Sequence, residues 1–206
     1  MIYIFGDSFS EPFIRYANKS YVTHMGYSPK QYYDYFQEEY NMDCVNTAKG
    51  GASNDYIFNE FMGQYENMVD GDLVIFGWSQ ITRFEFVDTK IGAWRGSLLA
   101  SNQDSLSMDT IDEIVVNRNH PLYTEQFCKR LLFINTILKG KKVIHWSWVH
   151  HEKHYSITTE TKGRVEDGHY GEYGHQQIYN ILSKGIKDKD VFNYNMIMCY
   201  KTISLI

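Results

Sequence analysis

Continuous apolar runs, separated by longer amphipathic stretches, set the pattern of hydrophobic and polar positions along this chain. The runs at 2–5, 73–76 and 143–149 are rich in β-branched and aromatic residues and predict buried strands. A weaker run at 44–46 predicts another. Runs without polar alternation are typical of strands that are buried on both faces of a parallel sheet.

The stretches between these runs predict helices. A Ser-Pro pair at 28–29 is a good N-cap and first-turn signal. Ser53 is a candidate N-cap for the next helix, in which apolar residues recur at helical spacing. The predicted helices span about 28–40, 53–68, 121–139 and 171–184.

Strands that alternate with helices favour an α/β fold. We expect a single doubly wound, flavodoxin-like domain over residues 1–206, with a central parallel sheet and helices on both faces. The stretch 83–120 does not fit the alternation and predicts an insertion that forms a lid or wall over a site. The apolar C-terminal extension at about 187–206 fits either an edge strand or a subunit contact.

Composition narrows the class of protein. Hydrophobic residues make up 43% and charged residues 22% of the chain, as in an ordinary globular domain. The formal charge of −5 argues against a nucleic-acid partner. No apolar run approaches the roughly 18 residues of a membrane span. The start carries no secretory signal, so we expect a cytoplasmic protein, with virion association or non-standard export left open.

Cysteines and histidines do not predict a metal centre. The three cysteines are widely spaced, which favours reduced buried thiols. The run His151-Glu152-Lys153-His154 is one residue short of the zincin spacing His-Glu-x-x-His. We therefore expect no metal and no organic cofactor.

Polar blocks follow each predicted strand. In open α/β sheets, sites form beyond the carboxyl ends of the strands, so these blocks are expected to converge on one edge. Another polar block precedes the last predicted helix. The blocks are Gly6-Asp7-Ser8-Phe9-Ser10, the loop 46–54, Gly77-Trp78-Ser79-Gln80, and Asp167-Gly168-His169.

In this order and spacing, the blocks resemble those of the SGNH/GDSL hydrolase family. The resemblance covers about residues 1–80 and 140–185 and leaves the middle insertion unmatched. It includes a strand that ends in Gly-Asp-Ser and an Asp-x-His-x-Gly-x-x-Gly-His stretch over 167–175. The resemblance implies an SGNH-type fold and a serine esterase or acylhydrolase that works through an acyl-enzyme.

Ser8, His169 and Asp167 are the candidate catalytic residues. A serine needs an adjacent base to take its proton. In an extended segment, residues i and i+2 face the same way, so Asp167 can orient His169 for that role. The family more often shows Asp-x-x-His, which leaves Glu166 as another carboxylate and His175 as a competing base.

The family pattern also implies three donors for an oxyanion hole. The amide of Ser8 and a glycine amide after the second strand match it, with Gly51 as our choice and Gly50 as the alternative. Ser79 stands where the family has asparagine and can donate through its hydroxyl. The other candidates for this third donor are Gln80 and Arg83.

The same blocks supply candidate substrate contacts. Trp78 and Trp94 are candidates for a substrate wall, with core packing as the alternative, whereas Trp146 and Trp148 are most simply core residues. Gly6 is expected to let substrate approach the backbone closely. Asn54 fits both a helix cap and a substrate contact. The predicted substrate-binding set is Asp7, Asn54, Trp78 and Arg83.

Three functions remain open on the sequence. The first is hydrolysis of a carboxylic ester, such as an O-acetyl group on a carbohydrate, by a protein with no nucleic-acid or membrane partner. Homo-oligomerisation of this protein is left open. The second is a non-catalytic glycan-binding or structural module on the same fold, which the missing asparagine motivates. The third is a flavodoxin-like domain in which 6–10 cradles a phosphate at a helix N-terminus.

Overall fold

A computed structural model describes residues 1–13, 19–81, 83, 86–88, 93–95, 121–148 and 155–187. Of the predicted insertion, it describes only residue 83 and the backbone of two short strands. The predictions for the rest of 83–120, for 188–206 and for the histidine-rich run at 150–154 lie outside the described residues.

The described elements alternate between strand and helix. The strands are β1 (Ile2–Gly6), β2 (Cys44–Asn46), β3 (Leu73–Trp78), β4 (Phe86–Asp88), β5 (Ala93–Arg95) and β6 (Lys142–Ser147). The helices are α1 (Ser20–Met25), α2 (Tyr32–Tyr40), α3 (Asn54–Gln64), α4 (Pro121–Ile137), α5 (Ile157–Glu160) and α6 (Glu172–Lys187). A short 3₁₀ turn, Tyr65–Asn67, follows α3.

Four strands form one parallel sheet in the order β2-β1-β3-β6. The protein is therefore α/β with an all-parallel sheet, as the pattern of apolar runs predicted. In the register, Gly6 pairs with Gly77, and Phe76 pairs with His145. The ends of β1, β3 and β6 therefore lie side by side. β4 and β5 pair separately as an antiparallel ribbon within the predicted insertion.

Alternate residues of each strand enter two different hydrophobic clusters, as the two-residue period of a strand requires. Tyr3 and Phe5 pack in one cluster with residues of α3 and α4. Ile2 and Ile4 pack in the other cluster with residues of α2 and α6. The sheet strands are therefore apolar on both sides, which explains the unbroken runs in the sequence.

Strand positions are confirmed within two residues, and three of the four predicted helix starts are confirmed within one residue. Ser53 is confirmed as an N-cap: its hydroxyl accepts a hydrogen bond from the amide of Tyr56 at 3.1 Å. The predicted start at 28–29 is wrong, because α2 begins at Tyr32. There the amide of Gln31 donates to Asp34 Oδ2 at 2.7 Å, and this capping box outcompetes the Ser-Pro signal. The short helices α1 and α5 were not predicted.

Two observations concern the cysteine thiols and membrane-spanning segments. Cys44 and Cys128 are free thiols, and burial raises the pKa of Cys44 to about 12. Within the described ranges, no helix has both the length and the apolarity needed to cross a bilayer.

Candidate active site

Ser8 lies in a tight turn directly after β1. The carbonyl of Asp7 accepts hydrogen bonds from the amides of Ser10 and Glu11, both at 3.0 Å. The Asp7 side chain accepts another from the amide of Phe9 at 3.1 Å. These bonds close the turn on both sides of Ser8, so its half-buried hydroxyl stands at the carboxyl edge of the sheet.

Two glycines at the ends of adjacent strands make room for a side chain of the protein itself. A Cβ on Gly6 would lie 2.7 Å from the Ser10 hydroxyl, and one on Gly77 would lie 2.6 Å from the same atom. Tyr32 donates a hydrogen bond to this buried hydroxyl at 2.9 Å. The expectation that Gly6 makes room for substrate is therefore wrong, because Ser10 occupies that space.

The structure brings Ser8, His169 and Asp167 into one chain of hydrogen bonds. His169 Nε2 lies 2.7 Å from Ser8 Oγ, and His169 Nδ1 lies 2.5 Å from Asp167 Oδ1. A carboxylate only accepts, so Nδ1 carries the proton and Nε2 is free to accept one from the serine. The His169 side chain is 26% exposed and that of Asp167 8%, so the imidazole is open to a ligand and the carboxylate is shielded.

The two alternative residues, His175 and Glu166, take no part in this chain of hydrogen bonds. His175 is on α6 and only 2% exposed, and burial, with a smaller effect of His169, lowers its pKa to about 3. Glu166 is exposed, and among the described residues it has no hydrogen-bond or ion-pair partner. The carboxylate beside the imidazole is therefore Asp167.

A turn at 49–52 lies against Ser8. The amide of Ala52 donates to the carbonyl of Lys49 at 3.0 Å, and Gly51 has a φ of +75°, a conformation that favours glycine. A Cβ on Gly50 would lie 3.9 Å from Ser8 Cβ. Within the described residues, the amides of Ser8, Gly50 and Gly51 have no hydrogen-bond partner. They are thus available as donors, and the choice between the two glycines stays open.

Ser79 and Asn54 bind each other and the turn beneath Ser8. The Ser79 hydroxyl donates to Asp7 Oδ2 at 2.9 Å. Asn54 Oδ1 accepts from the amide of Ser79 at 2.8 Å, and its Nδ2 donates to the Ser79 carbonyl at 3.2 Å. Both side chains are almost fully buried. The hydroxyl of Ser79 is therefore directed at Asp7, which corrects its predicted place as the third donor, and Asn54 joins α3 to the end of β3.

Asp7 is fully buried beneath the turn that carries Ser8. Its Oδ2 accepts hydrogen bonds from Ser79, from Arg83 Nη1 at 2.8 Å and from Trp148 Nε1 at 2.6 Å. With the Phe9 amide on Oδ1, the carboxylate is satisfied by four protein donors. The expected contact of Asp7 with substrate is corrected accordingly: its side chain joins the ends of β1, β3 and β6.

Trp78 also lies in the core, which corrects its predicted place in a substrate wall. It is 0% exposed and donates a hydrogen bond to His145 Nδ1 at 3.0 Å. The other ring nitrogen of His145 lies 2.9 Å from Asn135 Oδ1 on α4. Because β3 continues through Trp78, the indole alternates into the apolar cluster rather than following the strand end.

Trp148 takes the place at the strand end that Trp78 was expected to occupy. It directly follows β6, is half-buried, and stacks on Phe9 with ring centroids 4.4 Å apart. The ring centroid of Phe9 in turn lies 4.6 Å from that of His169. The rule that polar and aromatic residues after a strand form the site would have identified Trp148, had the predicted strand ended at 147.

Arg83 bridges the turn that carries Ser8 and the turn at 49–52. Besides Asp7, its Nη1 contacts the carbonyl of Ala52 at 3.4 Å, and its guanidinium lies over the ring of Trp148 at 5.4 Å. The side chain is 12% exposed. Arg83 therefore lies beside the turn that carries Ser8, with its charge balanced by the buried carboxylate. Its contact with substrate stays a prediction.

Among the described residues, no cluster of histidine, cysteine or carboxylate side chains is arranged to hold a metal ion. No protein-family model matches the chain. No curated protein matches it either. The function is therefore inferred from the site itself and from the motifs.

Proposed function

We propose that this protein is a serine hydrolase that cleaves a carboxylic ester through an acyl-enzyme on Ser8. The observation that carries the proposal is the hydrogen-bonded chain Ser8–His169–Asp167, with distances of 2.7 and 2.5 Å. The distance of 2.7 Å between Ser8 Oγ and His169 Nε2 lies within the range that proton transfer requires. The fold proposed with it is the doubly wound SGNH type.

In the first half of the reaction, Ser8 Oγ attacks the ester carbonyl while its proton passes to His169 Nε2. Asp167 accepts the Nδ1 proton as a hydrogen bond and stabilises the imidazolium. The tetrahedral intermediate then collapses: the bond from carbonyl carbon to alcohol oxygen breaks, and His169 protonates the leaving alcohol.

In the second half, a water molecule attacks the acyl-enzyme. His169 takes a proton from this water, and the acyl carbon binds the hydroxide. Collapse of the second intermediate returns the proton to Ser8 Oγ and releases the carboxylic acid. Groups of the protein and water suffice for every step of this mechanism.

The oxyanion is stabilised by hydrogen-bond donors. The amides of Ser8 and of Gly51 or Gly50, which have no hydrogen-bond partner among the described residues, are the donors. Each donor of this kind is worth about 2.7–4 kcal/mol. Arg83 adds a guanidinium that binds the residues adjacent to both amides, Asp7 and Ala52. We assign to it the place that asparagine holds in the family pattern.

The substrate class follows from the resemblance, which favours short acyl esters such as an O-acetyl group on a carbohydrate. The stacked pair of Phe9 and Trp148 beside His169 supports a ligand with an apolar face. A substrate of this kind needs neither a nucleic-acid nor a membrane surface.

A fluorophosphonate probe tests the proposal because it labels only an activated serine. Native protein is expected to be labelled at Ser8 and to hydrolyse nitrophenyl acetate faster than long-chain esters. Ser8→Ala abolishes both activities. The matched control is Ser28→Ala, which removes an exposed serine and keeps both.

Folded protein that is neither labelled nor active on short esters and acetylated sugars contradicts the proposal. Binding to a glycan array that persists in Ser8→Ala, without hydrolysis of the bound sugars, indicates the non-catalytic module instead.

A further inference from the structure

The segment that carries Asp167 and His169 pairs with the start of α5. Ser156 and Tyr170 form an isolated antiparallel bridge. The amide of Ile157 donates to the carbonyl of His169 at 2.7 Å. These backbone bonds fix the C-terminal side of the segment, on which His169 lies.

Thr158 binds the other side of the segment through both its backbone and its side chain. Its amide donates to the carbonyl of Asp167 at 3.1 Å. Its hydroxyl donates to the same carbonyl at 2.6 Å and accepts from the amide of Asp167 at 2.7 Å. One hydroxyl therefore satisfies both backbone polar groups of the triad carboxylate residue.

From this geometry we infer that Thr158 is a positioning residue of the triad, a role that rests on the proposed hydrolase function. It acts through Asp167: by fixing the backbone of that residue, the hydroxyl fixes the direction in which the carboxylate meets His169. It touches neither Ser8 nor the imidazole in any hydrogen bond of the described chain.

The spacer between the two triad residues explains why such a restraint is needed. Gly168 is exposed, and a Cβ added to it would meet no atom within 4 Å. Neither packing nor a side chain therefore limits rotation at this residue, and glycine is the most permissive residue in the backbone. If Asp167 rotates, its Oδ1 leaves the imidazole, and Nε2 loses its alignment with Ser8.

Thr161 offers a matched control on the next turn. Its buried hydroxyl donates to the carbonyl of Ile157 at 2.8 Å and accepts from the amide of Val165 at 3.3 Å. It thus has the same residue type and the same pattern of two backbone bonds as Thr158, but it has no contact with the triad. Thr161→Val therefore measures the purely structural cost of losing such a hydroxyl.

The experiment compares Thr158→Val, Thr158→Ser and Thr161→Val for kcat and KM on an acetyl ester and for the rate of fluorophosphonate labelling. In Thr158→Val, kcat and the labelling rate are expected to fall by about 10- to 100-fold, the order of loss that a misplacement of up to about 1 Å produces. KM changes little, because no substrate contact is removed. Thr158→Ser keeps the hydroxyl and restores the rate, whereas Thr161→Val lowers the melting temperature and leaves kcat unchanged.

Wild-type kcat in folded Thr158→Val, or an equal loss of kcat in Thr161→Val, overturns the inference. A native protein that the probe does not label overturns the proposed function instead. Proton NMR keeps the two apart: the low-field signal of the His169 Nδ1 proton is measured in the Ser8→Ala background, where no activity is needed. Adding Thr158→Val is expected to weaken or abolish this signal, and an unchanged signal rejects the positioning role.

Discussion

Asp167 Oδ1 accepts two hydrogen bonds from His169, one from its backbone amide at 2.8 Å and one from its ring Nδ1 at 2.5 Å. A spacer of one residue makes this possible, because the Asp167 carboxylate then lies close to both the backbone amide and the ring of His169. The backbone bond adds to the restraint that the Thr158 hydroxyl places on Asp167, and the ring bond fixes the tautomer. The short spacing, Asp-x-His, is therefore compatible with an imidazole that presents Nε2 to Ser8.

Asp167→Asn is expected to lower kcat by up to about 10⁴-fold with little change in the fold. The asparagine amide can donate to Nδ1, which favours the tautomer with its proton on Nε2, and that ring cannot accept the proton of Ser8. Steady-state kinetics and a thermal melt measure the two effects separately.

Glu166→Gln is the control for this change, because it removes the adjacent exposed carboxylate. It is expected to retain wild-type kcat. A large loss of kcat in Glu166→Gln together with an active Asp167→Asn would show that Glu166, and not Asp167, orients His169.

Gly77→Ala is expected to destabilise the protein by about 1–3 kcal/mol, the usual cost of overpacking a core. The new methyl group would lie 2.6 Å from the Ser10 hydroxyl and 3.3 Å from the ring of Trp146. Neither neighbour can move freely, since both are buried. Urea denaturation measures the change in the free energy of unfolding.

The control is Gly63→Ala on the exposed face of α3, where a Cβ meets no atom within 4 Å. Alanine is the better helix former, so this variant is expected to gain about 0.4–1 kcal/mol. Equal effects of the two substitutions would show that Gly77 is not required by close packing.

Arg83 and Asp7 are expected to be energetically coupled, because their ion pair at 2.8 Å is nearly buried. Arg83→Gln removes one of the three donors to Asp7 Oδ2 and leaves the carboxylate's charge unbalanced. We expect a coupling energy of about 0.5–3 kcal/mol in a double-mutant cycle with Asp7→Asn. Strictly additive losses in the cycle would mean that Ser79 and Trp148 suffice for Asp7.

The free energy of unfolding is expected to decrease as the pH is lowered, because two histidines are buried in neutral form. Burial lowers the pKa of His145 and of His175 to about 3, and the proximity of His169 adds to the effect at His175. Below about pH 6.5 the unfolded chain binds these protons and the folded chain does not. The free energy of unfolding therefore decreases from about pH 6.5 towards pH 3, by about 1.4 kcal/mol per pH unit for each histidine.

His175→Leu tests the origin of this slope. Within the described residues, His175 Nδ1 has no hydrogen-bond partner, so an apolar side chain breaks no bond there. Denaturation curves from pH 8 to pH 4 are expected to show a shallower slope in the variant. A slope equal to that of the wild type would place the acid sensitivity elsewhere.

The sequence determined the parallel sheet with good accuracy. Strands such as β1 and β3 are buried on both faces, so the hydrophobic effect acts on every position and leaves an unbroken apolar run that is legible without any tertiary contact. The Ser53 cap was equally legible, because it involves only the next turn of the same helix.

The tertiary structure alone decided what each polar residue at the sheet edge contacts. Their places after strands predicted a site position for Asp7, Ser79 and Arg83. The hydrogen bonds that join Asp7 to the other two residues, however, span more than 70 positions of sequence. Trp78 was misplaced because strand length, and hence the face that a residue occupies, depends on pairing with β6.

The meeting of Ser8 with His169, 161 positions apart, likewise depends on how α5 and its loop fold back over the end of β1. Local patterns record which face of an element is buried. They do not record which distant side chain fills a given hydrogen bond, since that is fixed only when the whole chain packs.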